Sequence, residues 1–145
     1  MMVKTLARRA TLGRIVAAIG LVGARDVLGH HDKTVPAQRF YRAADAQRKL
    51  AQSWGDQAYG AVLVIDGKIV GEGPSRVVQR GDSSAHAERE AIRDAQRKLA
   101  RTHLPHSVLY STSRPCTRCE HAAAAAGVAR MIYGEALYDA GKPKG

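Results

Sequence analysis

The stretch AHAEREAIRD, residues 85–94, combines a helical pattern with two chemically versatile side chains. The spacing of its small and apolar residues predicts an amphipathic helix with one buried face, formed by Ala87, Ala91, Ile92, Ala95 and Leu99. Asp82, Ser83 or Ser84 is expected to cap its start. His86 and Glu88 stand two residues apart at the start of this helix, where packing alone requires neither. They are therefore candidate functional residues.

A second unusual stretch, RPCTRC at residues 114–119, holds the only two cysteines, Cys116 and Cys119. A disulfide between them would close a very small loop and add little stability. The Cys-x-x-Cys spacing is instead typical of redox or metal chemistry. Zinc binds thiolate and imidazole, so His86, Cys116 and Cys119 form a candidate ligand set.

The remaining pattern alternates helices with strands. A helix is expected from Pro36 to before Gly55, strands over residues 61–65, 68–72, 108–112 and 130–135, and a helix from near Cys116 to Gly127. This order predicts an α/β fold with three layers, α/β/α, around a central mixed sheet of about four to five strands. The segment DAQRKLA occurs twice, at residues 45–51 and 94–100, and we interpret it as two similar helix ends.

Length and charge limit the functional classes. A chain of 145 residues with 45% hydrophobic and 25% charged residues fits one globular domain. The net charge of +10 would suit an acidic partner such as nucleic acid, although a solvated basic surface has the same composition. Four of the positive charges (Lys4, Arg8, Arg9 and Arg14) lie within residues 1–24, which leaves +6 for the rest.

Residues 1–24 resemble a leader segment. A basic start is followed by an apolar run at residues 15–24, which is too short to span a membrane. The paired Arg8 and Arg9 resemble a twin-arginine export signal, which would carry the protein to the periplasm. The alternative is a basic amphipathic helix on a cytoplasmic protein.

The two unusual stretches together resemble a known family. His86-Ala87-Glu88 with Pro115-Cys116-Thr117-Arg118-Cys119 is similar to the zinc signature of the cytidine and deoxycytidylate deaminase superfamily. The segment YGAVLVIDGKIVGEG at residues 59–73 resembles the opening hairpin of that superfamily. With a histidine at the first ligand position, His86, the sequence resembles the branch of the superfamily that contains guanine deaminases and tRNA adenosine deaminases. The resemblance implies a deaminase-like fold, with a zinc-dependent deaminase domain over residues 36–145.

This resemblance also implies roles for individual residues. His86, Cys116 and Cys119 would hold Zn2+, whose water attacks the amino-bearing carbon. Glu88 would move the proton of that water to the departing ammonia. The implied substrate-binding residues are Gly60, Ala61, Ala87 and Ser75, of which Ser75 stands where this branch usually has an asparagine that touches the base.

Several functional interpretations remain open. We expect hydrolytic deamination of a small-molecule nucleobase or nucleoside, with guanine first, by a homodimer paired through the helices beside the metal. Adenosine in tRNA is the alternative substrate, and a non-catalytic zinc-stabilised binding module is the alternative to an enzyme. Cys-x-x-Cys alone also fits a redox site, or a structural zinc site with His121 as the fourth ligand. We expect His30, His31, His103 and His106 to face solvent.

Overall fold

A computed structural model describes the backbone of residues 34–145 and the side chains from Pro36 onward. The proposed leader at residues 1–24 and the two histidines His30 and His31 lie outside the described residues. Within the described part of the chain, no helix is both long and apolar enough to cross a bilayer.

The described chain alternates strands with helices as the sequence predicts. The helices are α1 (Thr34–Ser53), α2 (Val77–Arg80), α3 (Ala87–Leu99) and α4 (Thr117–Ala125). The strands are β1 (Gly60–Ile65), β2 (Lys68–Pro74), β3 (Val108–Ser111), β4 (Arg130–Tyr133) and β5 (Tyr138–Gly141).

The five strands form one mixed sheet in the order β2-β1-β3-β4-β5. Only β3 and β4 are parallel within it, and each of the other neighbouring pairs is antiparallel. A parallel pair needs a crossover connection, and α4 provides it between β3 and β4. The start of α4 therefore follows directly from the end of β3.

The sheet lies between two helical layers because β1 is buried on both faces. Ala61 and Leu63 pack into the core with α3, whereas Val62 and Val64 pack against Phe40 of α1. The second core also contains Tyr110, whose ring centroid lies 5.1 Å from that of Phe40. Side chains of a strand alternate between the faces of a sheet, so this arrangement confirms the predicted three-layer fold.

Two glycines of β2 allow α3 to lie very close to the sheet. A Cβ atom on Gly71 would lie 2.2 Å from the carbonyl oxygen of Ala91. On Gly73 it would lie 2.1 Å from the carbonyl oxygen of Ala87 and 2.4 Å from the amide nitrogen of Ala91. The helix backbone therefore fills the space that side chains on this face of the strand would need.

Some local predictions were wrong. None of Asp82, Ser83 and Ser84 caps α3, because His86 occupies the N-cap position and Asp82 instead accepts a hydrogen bond from the amide of Ser84 at 2.7 Å. Leu99 was predicted on the buried face of α3 but is 37% exposed, since it is the last residue of the helix. The short helix α2 and the edge strand β5 were not assigned from the sequence.

The repeated DAQRKLA segment has the same role at both sites, as predicted. Asp45 pairs with Arg48 and Lys49 near the end of α1, and Asp94 pairs with Arg97 and Lys98 near the end of α3. Partners three and four residues apart lie on the same side of a helix.

Replacing Gly73 with alanine should destabilise the fold severely. Because the new methyl group would overlap the backbone of α3, we expect Gly73→Ala to lower the free energy of unfolding by about 3 kcal/mol or more in urea denaturation. Gly81→Ala is the matched control. Gly81 has open space around it but a φ of 61°, so its replacement should cost about 1 kcal/mol. Equal losses in the two variants would contradict the proposed close contact.

Candidate metal centre and active-site cleft

The first candidate ligand, His86, lies immediately before α3. It is the N-cap residue of that helix, with an extended backbone conformation (φ −63°, ψ 150°) and no capping hydrogen bond from its side chain. The imidazole therefore makes no hydrogen bond to the backbone of the first turn of α3. Its Nδ1 atom faces the two cysteine sulfurs.

The other two candidate ligands belong to the start of α4. Cys116 is the N-cap residue, and its Sγ atom accepts a hydrogen bond from the amide of Cys119 at 3.4 Å. Cys116 is exposed and Cys119 is buried. Both sulfurs lie in the first turn, where the helix dipole favours negative charge, so this helix start suits thiolate ligands.

The three side chains form a compact group of donor atoms. The Nδ1 atom of His86 lies 3.7 Å from Sγ of Cys116 and 3.4 Å from Sγ of Cys119. All three donor atoms lie within 4.8 Å of one another. Tetrahedral zinc, with bonds of about 2.3 Å to sulfur and about 2.0 Å to nitrogen, separates such ligands by about 3.6 Å. The residues therefore fit a zinc ion.

Two glutamates follow His86 in the first turn of α3, and both are buried. Glu90 forms ion pairs at 2.8 Å with Arg80 and with Arg93, so its charge is balanced. Glu88 has no ion-pair partner among the described residues, and its Oε2 atom lies 3.6 Å from Sγ of Cys119. Glu90 thus anchors the helix, whereas the carboxyl group of Glu88 lies beside the ligand group.

Burial changes the ionisation of the groups around this centre. It raises the pKa of the Glu88 carboxyl above its ordinary value. It also raises the pKa of the Cys119 thiol, and the neighbouring carboxyl of Glu88 and thiol of Cys116 add to this effect. A divalent cation among these groups would favour their charged forms, which is the donor chemistry expected of a metal site.

A cleft opens beside the ligand group. Its volume is about 370 Å³, which falls within the range of small-molecule sites, roughly 300–1,000 Å³. It is lined by Gln57, Tyr59, His86, Ala87, Glu88, Ser113, Arg114 and Cys116. Glu88 therefore borders both the ligands and the space in which a substrate would lie.

The four predicted substrate-binding residues are not all at this cleft. Ala87 lines it. Gly60 packs against α1, where an added Cβ atom would lie 2.1 Å from the carbonyl oxygen of Ala44, and Ala61 is fully buried in the core. Ser75 is fully buried, and its hydroxyl donates to Oδ1 of Asp56 at 2.9 Å. The structure brings together the predicted ligands, Glu88 and Ala87, and does not bring Gly60, Ala61 or Ser75 into the cleft.

Sequence reasoning missed two residues in the wall of the cleft, Gln57 and Tyr59, and the buried carboxylate of Asp56 beside Gln57. Burial alone would raise the pKa of Asp56. Hydrogen bonds from the backbone amides of Gln79 and Gln57, at 2.8 Å each, and from the hydroxyl of Ser75 outweigh burial and lower this pKa. Asp56 is therefore held as a carboxylate that fixes the segment at this wall.

The described histidines outside the ligand group are all exposed, as expected for His103 and His106. His103, His106 and His121 are exposed, and none of them belongs to the ligand group. A structural zinc site completed by His121 is therefore not formed by the described residues.

The model of one protein family, the cytidine and deoxycytidylate deaminase zinc-binding region, matches residues 35–135. The chain belongs to this family. The match includes the ligand group, and the cofactor that suits these donors is zinc.

Relatives within the family include two kinds of deaminase. The tRNA-specific adenosine deaminase of Buchnera aphidicola (strain Sg) is 36% identical over 89 residues, which cover 61% of this chain and 59% of that protein. A structure from a study of A-to-I editing by tRNA:A34 deaminases has a TM-score of 0.64 and 35% identity, over 66% of this chain and 70% of the other. The guanine deaminase of Bacillus subtilis has a TM-score of 0.64 and 33% identity, over 67% and 62%.

The matched part is only a portion of these proteins. The chain spans about three fifths of the length of the curated relatives it matches, 59% and 62% for two tRNA-specific adenosine deaminases.

Removing any one of the three ligands should release the metal. Because a zinc site with three protein ligands cannot spare one, we expect His86→Ala, Cys116→Ala and Cys119→Ala to retain less than about half an equivalent of zinc after zinc-supplemented expression. Metal analysis of the purified variants measures this. His121→Ala, which changes an exposed histidine of α4, should keep the zinc content of the unmodified protein. Undiminished zinc in Cys116→Ala would contradict the assignment.

Proposed function

We propose that this protein is a zinc-dependent hydrolytic deaminase that removes an amino group from a nucleobase or nucleoside and releases ammonia. The domain responsible would span residues 36–145. The position of Glu88 carries the proposal, because this residue is 5% exposed, borders the cleft and lies beside the ligand group without belonging to it. Among the described residues, Glu88 has no partner comparable to the arginines around Glu90.

The chain's own residues would divide the chemistry between them. His86, Cys116 and Cys119 would hold the zinc ion. When bound there, zinc lowers the pKa of water and supplies a nucleophile at neutral pH. Glu88 would accept the proton of the attacking water and deliver it to the departing nitrogen, so that a carbon–oxygen bond forms, the carbon–nitrogen bond breaks and ammonia leaves.

Removing the carboxylate of Glu88 should separate catalysis from metal binding. We expect Glu88→Gln to keep its zinc but to release ammonia at least about 100-fold more slowly, because the amide cannot accept a proton. Glu72→Gln, at an exposed glutamate of β2, is the control and should retain full activity. Activity close to that of the unmodified protein in Glu88→Gln would exclude the proposed role.

The preferred substrate is a free base, with guanine first. The cleft offers neutral groups at Gln57, Tyr59 and Ser113, and a small neutral ring needs no further binding surface. The similarity to the guanine deaminase of Bacillus subtilis supports this choice.

Adenosine in tRNA is a second candidate because of the charge beside the cleft. Arg114 is exposed and lines the cleft, and Arg118 is exposed in the first turn of α4. Such guanidinium groups suit phosphate, and the net charge of +6 outside residues 1–24 favours a polyanion. The similarity to tRNA-specific adenosine deaminases supports the same substrate.

An ammonia-release screen should separate these candidates. Guanine, adenine, cytosine, their nucleosides and a tRNA anticodon stem-loop would each be tested at low and high salt. The kcat/KM for guanine should change little with ionic strength, whereas kcat/KM for the stem-loop should fall steeply, about 1,000-fold between 50 and 200 mM salt if about six or more phosphates are bound. If the zinc-loaded protein releases ammonia from none of them, a non-catalytic zinc-stabilised module is the better account.

Two further expectations stay predictions. Pairing of two copies through α3 and α4, the helices beside the metal, would form a homodimer. Export through residues 1–24 would place the protein in the periplasm, and without export it would be cytoplasmic.

A further inference from the structure

Ser75, which was expected to contact the base, is buried and cannot reach a substrate in the cleft. Ser75 has no exposed surface, and its hydroxyl is committed to Asp56 at 2.9 Å. Its amide donates to the carbonyl of Tyr59 at 3.1 Å, which fixes the end of β2 against the segment before β1. Ser75 therefore stabilises the wall of the cleft from behind and does not form its surface.

The carboxylate of Asp56 holds this wall in one conformation. Its Oδ1 atom accepts from the amide of Gln57 at 2.8 Å, and its Oδ2 atom accepts from the amide of Gln79 at 2.8 Å. The carbonyl of Gln57 accepts from the amide of Tyr59, also at 2.8 Å. The backbone of Gln57 is thus fixed on both sides, while its side chain is exposed and lines the cleft.

Gln57 is chemically distinct within the lining. Among the described residues that border the cleft, it alone carries an amide, which offers both hydrogen-bond donors and an acceptor. A nucleobase edge also presents donors and acceptors side by side, and amide side chains form paired hydrogen bonds with such edges. Arg114 offers donors only, and Tyr59 offers a single hydroxyl.

We propose that Gln57 is the specificity-determining residue of the cleft, on a backbone that the carboxylate of Asp56 holds in place. This inference rests on the proposed deaminase function and names the residue that would discriminate between bases. The amide of Gln57 would bind the polar edge of the ring while the amino-bearing carbon faces Glu88. The carboxylate of Asp56 fixes the backbone of Gln57 through its amide N–H and does not line the cleft.

The test replaces the amide and measures discrimination between bases. Gln57→Met keeps the length of the side chain and removes its hydrogen bonds. With the zinc-loaded protein, we expect kcat/KM for the best base or nucleoside in the screen to fall about 10-fold or more, mainly through KM. Its ratio to kcat/KM for the next best base should change about 10-fold. Zinc content and Tm should stay as in the unmodified protein.

Two further variants separate recognition from stability. Gln52→Met changes an exposed glutamine of α1 outside the cleft and should alter neither kcat/KM nor the ratio. Ser75→Ala should lower Tm by about 3 °C or more, because Oδ1 of Asp56 loses a partner, and should leave the ratio unchanged. The bonds from Gln57 and Gln79 to Asp56 remain in that variant.

The results separate failure of the inference about Gln57 from failure of the proposed deaminase function. An active unmodified protein whose discrimination is unchanged by Gln57→Met overturns the inference and leaves the deaminase function standing. A change of discrimination in Ser75→Ala equal to that in Gln57→Met also overturns it, because discrimination would then not depend on the amide of Gln57 itself. A zinc-loaded protein that is inert with every compound overturns both.

Discussion

The close contact between α3 and β2 is the constraint on which the rest of the structure depends. Gly71 and Gly73 leave no side chain between strand and helix, and Ala87 and Ala91 keep the facing side of the helix small. The helix therefore lies against the sheet at a distance set by backbone atoms. His86 precedes this contact directly, so the backbone that carries the imidazole is fixed by the same contact. Metal sites require such rigid support.

Sequence patterns identified the elements that are buried and missed those that are not. Strand β1 was predicted well because apolar side chains are required on both of its faces. Strand β5 (Tyr138–Gly141) is an exposed edge with no apolar alternation, and only its pairing with β4 makes it a strand. The end of α3 was misjudged for the same reason, since Leu99 fits the helical period but extends beyond the sheet that buries Ala95.

The candidate site also contains residues that the sequence could predict and residues that it could not. His86, Cys116 and Cys119 could be predicted because zinc accepts few residue types, and their spacing is a recognisable signature. The environment of Glu88 could not be predicted, because Glu90 has the same residue type and the same helical turn, and only the arginines around Glu90 distinguish the two. Asp56, Gln57 and Ser75 lie outside the helical period, and their network exists only after β2 has returned beside β1.

Cys116 combines two duties in a single exposed atom. Its sulfur is a candidate ligand and also accepts the amide hydrogen bond that caps α4, whereas Cys119 is buried behind it. An oxidant in solution therefore reaches Cys116 first. Conversion of this thiol to a sulfinic or sulfonic acid would be irreversible for most proteins. Oxidation of Cys116 would then remove a metal ligand and disrupt the N-cap of α4 at the same time. The lifetime of the metal site would therefore depend on how oxidising its surroundings are.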